Sequence, residues 1–146
     1  MMWSDNMKNI FSFACAMISS FILYLIGDIS MPFIILITFM CIDYITGLLL
    51  AGIFKKSCKS ETGGLSSDIG LKGLCKKGLV LLMVIVANLL DLALETNYIR
   101  NVVIIGFMTN EVISIIENVG LMGVPIPKVI NNAIDILKGK GEQQDD

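Results

Sequence analysis

Apolar residues in this chain gather into long, nearly uninterrupted runs instead of alternating with polar ones. Four segments stand out, at about 10–26, 31–54, 78–94 and 102–116. A helix needs about 20 apolar residues to cross the hydrocarbon of a bilayer, with a range of about 17–25. The second run meets that length comfortably, and the first and third sit near its lower limit. The fourth is shorter and carries Asn110 and Glu111 in its middle. Gly27-Asp28 marks a turn after the first run, and Pro32 is well placed in the first turn of the second. Gly120, Gly123, Pro125 and Pro127 stop a helix after the fourth. Beyond them Val129, Ile130, Ala133, Ile134 and Leu137 recur at helical spacing, with Asn131, Asn132, Asp135 and Lys138 on the other face. This predicts a short amphipathic helix over 128–138, lying along the inner membrane surface or packed against protein. A polar, acidic tail follows at 139–146. The expected fold is all-α: a single polytopic membrane domain of four transmembrane spans, or three, plus the C-terminal helix.

Composition agrees with a bilayer as solvent. Hydrophobic residues make up 55% of the 146 and charged ones 16%, against roughly 25% charged in ordinary soluble domains. The basic residues are distributed unevenly. Lys8 precedes the first run; Lys55, Lys56, Lys59, Lys72, Lys76 and Lys77 fall in the predicted loop 55–77; Lys128, Lys138 and Lys140 follow the fourth run. Of the 11 basic residues, only Arg100 lies in the alternate loops. Lysine excess marks the cytoplasmic side, so both termini and the long loop are expected in the cytoplasm. An odd number of crossings would strand the lysines of one terminus outside, which favours four. The first run also has the basic lead of a signal peptide, but it is longer than most such cores and no small-x-small site follows it.

Several chemistries are disfavoured. The chain has no histidine, which removes imidazole-based metal sites and catalysis. Cys15 and Cys41 lie inside apolar runs as small hydrophobes, and Cys58 and Cys75 flank the lysine loop without any C-x-x-C pair. The acids are scattered, so no nucleophile and base stand together. The lysine loop lacks interleaved aromatics, which argues against nucleic acid as a partner. The expectation is a protein that is not an enzyme, without metal or cofactor.

Polar groups inside the apolar runs are the informative exceptions. Asp43 stands near the centre of the second run, where an ionised carboxylate costs at least about 2.5–3.5 kcal/mol. Helical spacing puts Asp43, Thr46, Gly47 and Ala51 on one side, a small and polar stripe that permits close packing and interhelical hydrogen bonds. Asp43 therefore either fixes packing within one subunit or lines a pore and joins subunits. Asn88 and Asp91 face the same way near the end of the third run, where Asp91 reaches toward the interface. Gly106, Asn110, Ser114 and Glu117 form a stripe on the fourth, with Glu111 beside it. Asp43 and Glu111 are expected to be neutral while buried and to ionise where water reaches them.

The stretch Asp43–Asp91 reads DYITGLLLAG, then a lysine-rich loop with SSDIGLKGLCKKG, then a span ending NLLD. It resembles the toxin-secretion/phage-lysis holin family, which includes the TcdE-like clostridial holins. The likeness rests on D-x-x-T-G at Asp43, Thr46 and Gly47, on Ser67, Gly70, Gly73, Lys76 and Lys77 in the loop, and on Asp91 closing the next span. The later IENVGLMGVPIP, residues 116–127, looks like the family's C-terminal signature. The ordered set covers roughly residues 30–137 and is far more specific than any one piece. Members of that family have often been described with three spans. The resemblance implies a non-enzymatic protein that oligomerises with itself in the inner membrane. At a set time it opens lesions that release an endolysin during phage lysis, or a toxin lacking a signal peptide. The other reading of the residues is a small constitutive ion channel or transporter subunit whose acids bind a cation or proton.

Overall fold

The computed structural model of the protein describes residues 2–55 and 67–137. Five helices follow one another: α1 (Met2–Ile26), α2 (Met31–Gly52), α3 (Ser67–Ala93), α4 (Ile99–Leu121) and α5 (Lys128–Leu137). The first four are long and apolar enough to cross a membrane. The fold is thus all-α with four membrane-capable helices and a short C-terminal one, as the runs predict.

Three helices exceed their predicted runs: α1 starts at Met2 instead of about Ile10, and α3 and α4 are extended by contacts within the bundle. The apolar run suggests a third span from about Gly78, or from as early as Leu71, whereas α3 begins at Ser67, so Lys72, Lys76 and Lys77 are helical. Glycine inside a helix costs about 1 kcal/mol relative to alanine, which made Gly70 and Gly73 read as loop. Instead, both glycines face Tyr44 of α2. A Cβ at Gly70 would lie 3.7 Å from the Tyr44 hydroxyl, and one at Gly73 would lie 3.9 Å from its ring. The Tyr44 ring thus packs beside the α3 backbone at ordinary contact distance from both positions, and Asp68 in the first turn complements the helix dipole. Helix α4 likewise runs from Ile99 to Leu121: Glu111, which interrupts its apolar run, is partnered by Lys77, and Asn118, beyond the run, by Asp43.

Helices α2, α3 and α4 form the packed unit. Their core is Leu36, Met40, Val84 and Ile104, with Phe33, Val80 and Phe107 against it. Buried and half-buried positions recur at heptad-like spacing on each helix: 36, 40, 43, 47 and 50; 77, 80, 84, 87 and 91; 100, 104, 107, 111, 114 and 118. Leu36 sits level with Ile104 and Asp43 with Glu111, so α2 and α4 run parallel, with α3 antiparallel to both. Helix α1 stands apart. Its Phe11 and Phe21 are exposed, and it meets the bundle at its C-terminal end, where Asn88 Nδ2 donates to the carbonyls of Leu25 (3.0 Å) and Tyr24 (3.4 Å). Helix α5 touches the bundle through buried Ile134, while its Val129 and Ile136 are exposed.

The α3–α4 turn is held by one carboxylate. Asp91 accepts the backbone N–H groups of Ile99 (3.0 Å) and Arg100 (2.8 Å) and the hydroxyl of Thr96 (2.6 Å). The first N–H groups of a helix have no partner within it, and Tyr98 at the N-cap makes no side-chain cap bond. Asp91 fills that role from the preceding helix. Thr96→Val is expected to destabilise the purified protein by about 1–2 kcal/mol, the worth of a hydrogen bond to a charged acceptor in a part-buried setting. Thermal unfolding in detergent measures this, and an unchanged midpoint would remove Thr96 from the cap.

Candidate functional site

Below the apolar core lies a layer of polar side chains drawn from three helices. Lys77 Nζ of α3 donates to Asp43 Oδ2 of α2 at 2.9 Å and to Glu111 Oε2 of α4 at 2.5 Å. Asn118 Nδ2, one further stretch along α4, donates to Asp43 Oδ1 at 3.1 Å and to Thr46 Oγ1 at 3.2 Å. Thr46 returns its own hydroxyl proton to the Asp43 carbonyl at 3.0 Å. The Lys77, Asp43 and Glu111 side chains are only 13%, 15% and 8% exposed. At about 1.5 Å per residue, Asp43 lies about 18 Å from the start of α2, which is mid-helix.

This layer changes the expected chemistry of the acids. The cost of charge in hydrocarbon leads the sequence to predict that Asp43 is protonated, paired or turned to a polar interior, with Asp43 and Glu111 neutral while buried. The structure supplies Lys77 to both, so their burial is accounted for by pairing and hydrogen bonding, the usual conditions for charge inside a low-dielectric interior. With all three groups ionised, the layer carries two negative charges and one positive. Gly47 lies beside the same construction: a Cβ there would sit 3.8 Å from Asn118 Nδ2, an ordinary contact distance.

The layer forms the inner wall of a crevice of about 1280 Å³. Ala51, Asn110, Ser114 and Lys76 also line it, and α5 contributes Asn131 and Asp135. The predicted residues Asp43, Thr46, Gly47, Ala51, Asn110, Glu111 and Ser114 therefore converge on one feature. Three others do not. Asn88 anchors α1, Asp91 caps α4, and Gly106 is exposed with open space beside it. Of the lysines given to topology, Lys77 turns inward, Lys72 is exposed and Lys55 ends the α2 connection; Lys56 and Lys59 lie outside the described residues.

Sequence reasoning missed Lys77 as a partner, and also Asn118 and Arg100. The buried stripe Asp91, Ala87, Val84, Val80 points to Lys77 when continued by one more step. Asn118 continues the stripe of Ile104 and Glu111 in the same way.

Four membrane-capable helices, three of them packed around a buried, charged layer, define a small multi-pass membrane protein with a polar interior. The chain belongs to the bacteriophage holin family, whose model matches residues 20–139. It is 31% identical over 122 residues to a protein of Bacillus phage phi105 described as a probable holin, covering 83% of this chain and 84% of that one. It is 35% identical over 139 residues to an uncharacterized protein of Halalkalibacterium halodurans, covering 91% of this chain and 97% of that protein. It is also 35% identical over 138 residues to an uncharacterized 14.9 kDa protein of Clostridium perfringens, covering 93% and 98%. No solved structure matches the chain.

Proposed function

We propose that the protein accumulates and oligomerises in the bacterial cytoplasmic membrane and opens lesions at a set time. A cell-wall hydrolase, or a toxin lacking a signal peptide, then leaves the cell. Both termini and the lysine-rich loop face the cytoplasm, a topology that the lysine distribution supports. The protein performs no catalysis itself and needs no cofactor.

The observation that carries this reading is the Asp43–Lys77–Glu111 layer beside an open crevice, in a chain that belongs to the holin family. A single subunit in lipid satisfies its mid-membrane charges internally. Water is absent from the hydrocarbon, so these groups have no other local partner. Assembly gives them one. When subunits meet through their crevice faces, the polar residues line a shared aqueous space, where charge is tolerated. The small residues Gly47 and Ala51 on that face allow close approach.

Timed expression in a bacterial host, with and without a cell-wall hydrolase, tests the proposal. Growth is expected to proceed normally and then stop abruptly, with a cytoplasmic reporter enzyme appearing in the medium only when the hydrolase is present. Steady depolarisation from the onset of expression, without enzyme release, would point instead to a constitutive ion channel.

A further inference from the structure

We infer that the end of the bundle opposite the crevice holds a binding site for a phosphate-class oxyanion, supplied by the phosphodiester of a phospholipid headgroup. The inference rests on the helices crossing a bilayer, and is independent of whether the protein opens lesions. Its centre is Arg100, which is 8% exposed. The guanidinium is held over the Phe33 ring, 5.5 Å from its centroid, and donates from Nη2 to the Asp28 carbonyl at 2.6 Å. Among the described residues no carboxylate lies within ion-pairing distance of it; both ion pairs described belong to Lys77. Asp91, the nearest acid in its own turn, is taken up by Thr96 and two backbone N–H groups.

A second observation falls at the same place. Two buried side-chain polar atoms lack a partner among the described residues: Arg100 Nε and Ser30 Oγ. The Ser30 backbone N–H donates to Asp28 O at 2.8 Å, the same oxygen that Arg100 Nη2 engages, so Ser30 and the guanidinium are immediate neighbours. Ser30 is also the N-cap of α2 and makes no side-chain cap bond. A buried cation without a counter-ion, an unused hydroxyl and the N–H groups of a helix start converge there. Each is a donor to an oxyanion, and a buried charge left unpaired is costly. The site lies where α2 and α4 both begin, at the level expected for headgroups when these helices span the hydrocarbon. Arginine suits that ligand, because its planar fork matches two phosphate oxygens.

The test uses the full-length protein purified in an uncharged detergent, with thermal unfolding followed by circular dichroism. Three probes are titrated: phosphatidylglycerol, inorganic phosphate and diacylglycerol. Phosphatidylglycerol is expected to raise the midpoint by several degrees and diacylglycerol to leave it unchanged. Inorganic phosphate is expected to act only at far higher concentration; an equal response at matching concentration would assign the site to a free anion instead of a lipid. Arg100→Gln should abolish the shift. Ser30→Ala keeps the cation and should weaken the response, which preserves the test if Arg100→Gln does not fold. The proposal is overturned if neither phosphate compound shifts the midpoint, or if the variants respond like the wild type. It is equally overturned if Asp28→Asn lowers the midpoint of a protein that ignores all three probes, since Asp28 would then be the counter-ion.

Discussion

Replacing Lys77 with methionine is expected to destabilise the helix bundle by about 3–5 kcal/mol, the penalty for removing one partner from a buried ion pair. Lys77 is shared, so its loss strands Asp43 and Glu111 together, both nearly enclosed and on facing helices. Asn118 continues to donate to Asp43 Oδ1 but carries no charge to oppose the two acids. A buried pair replaced as a whole is often neutral or better, because desolvation and attraction are removed together. The triple variant Asp43→Asn, Lys77→Met, Glu111→Gln is therefore expected to recover most of the lost stability. Thermal unfolding in detergent reads both results. If Lys77→Met unfolds at the wild-type midpoint, the three groups do not hold the bundle.

Gly27→Val is expected to release α1 from the bundle at a cost of about 2–3 kcal/mol, combining a strained backbone with a lost hydrogen bond. Gly27 has φ +81°, a left-handed conformation that a β-branched residue adopts poorly. A Cβ there would also overlap the Asn88 side-chain oxygen. Asn88 has room to turn aside only by withdrawing its Nδ2 from the Leu25 carbonyl, the bond that ties α1 to α3. Limited proteolysis of the detergent-solubilised protein between α1 and α2 checks this: the variant should be cut far faster there than the wild type. Equal cutting would show that α1 is held by something other than the Gly27–Asn88 junction.

The helices were legible because lipid imposes a simple rule on composition: long apolar runs must close their own backbone hydrogen bonds. Their ends were less so. Gly70, Gly73 and Lys77 all favour loop locally. Only the Tyr44 ring and the Asp43 and Glu111 carboxylates, each on another helix, draw that segment into α3. The acids themselves were recognised from their cost in hydrocarbon, and the stripes gathered Asp43, Thr46, Gly47 and Ala51 correctly on one face. Their partner was not recognised, because Lys77 is separated by 34 residues from each carboxylate and no local period relates them. Lysines near a span also serve topology, which masked one that serves the interior. Arg100 was similarly assigned to an outer loop, whereas it is buried in the first turn of α4.

The claim that organises these results is that the chain itself, without other proteins, opens lesions wide enough for a folded protein. Purified protein reconstituted into phospholipid vesicles loaded with both a small dye and a fluorescent folded protein tests it most directly. Above a threshold protein-to-lipid ratio, both cargoes are expected to leave together. Release of the dye with full retention of the protein cargo at every ratio would contradict the account and leave a narrow channel in its place.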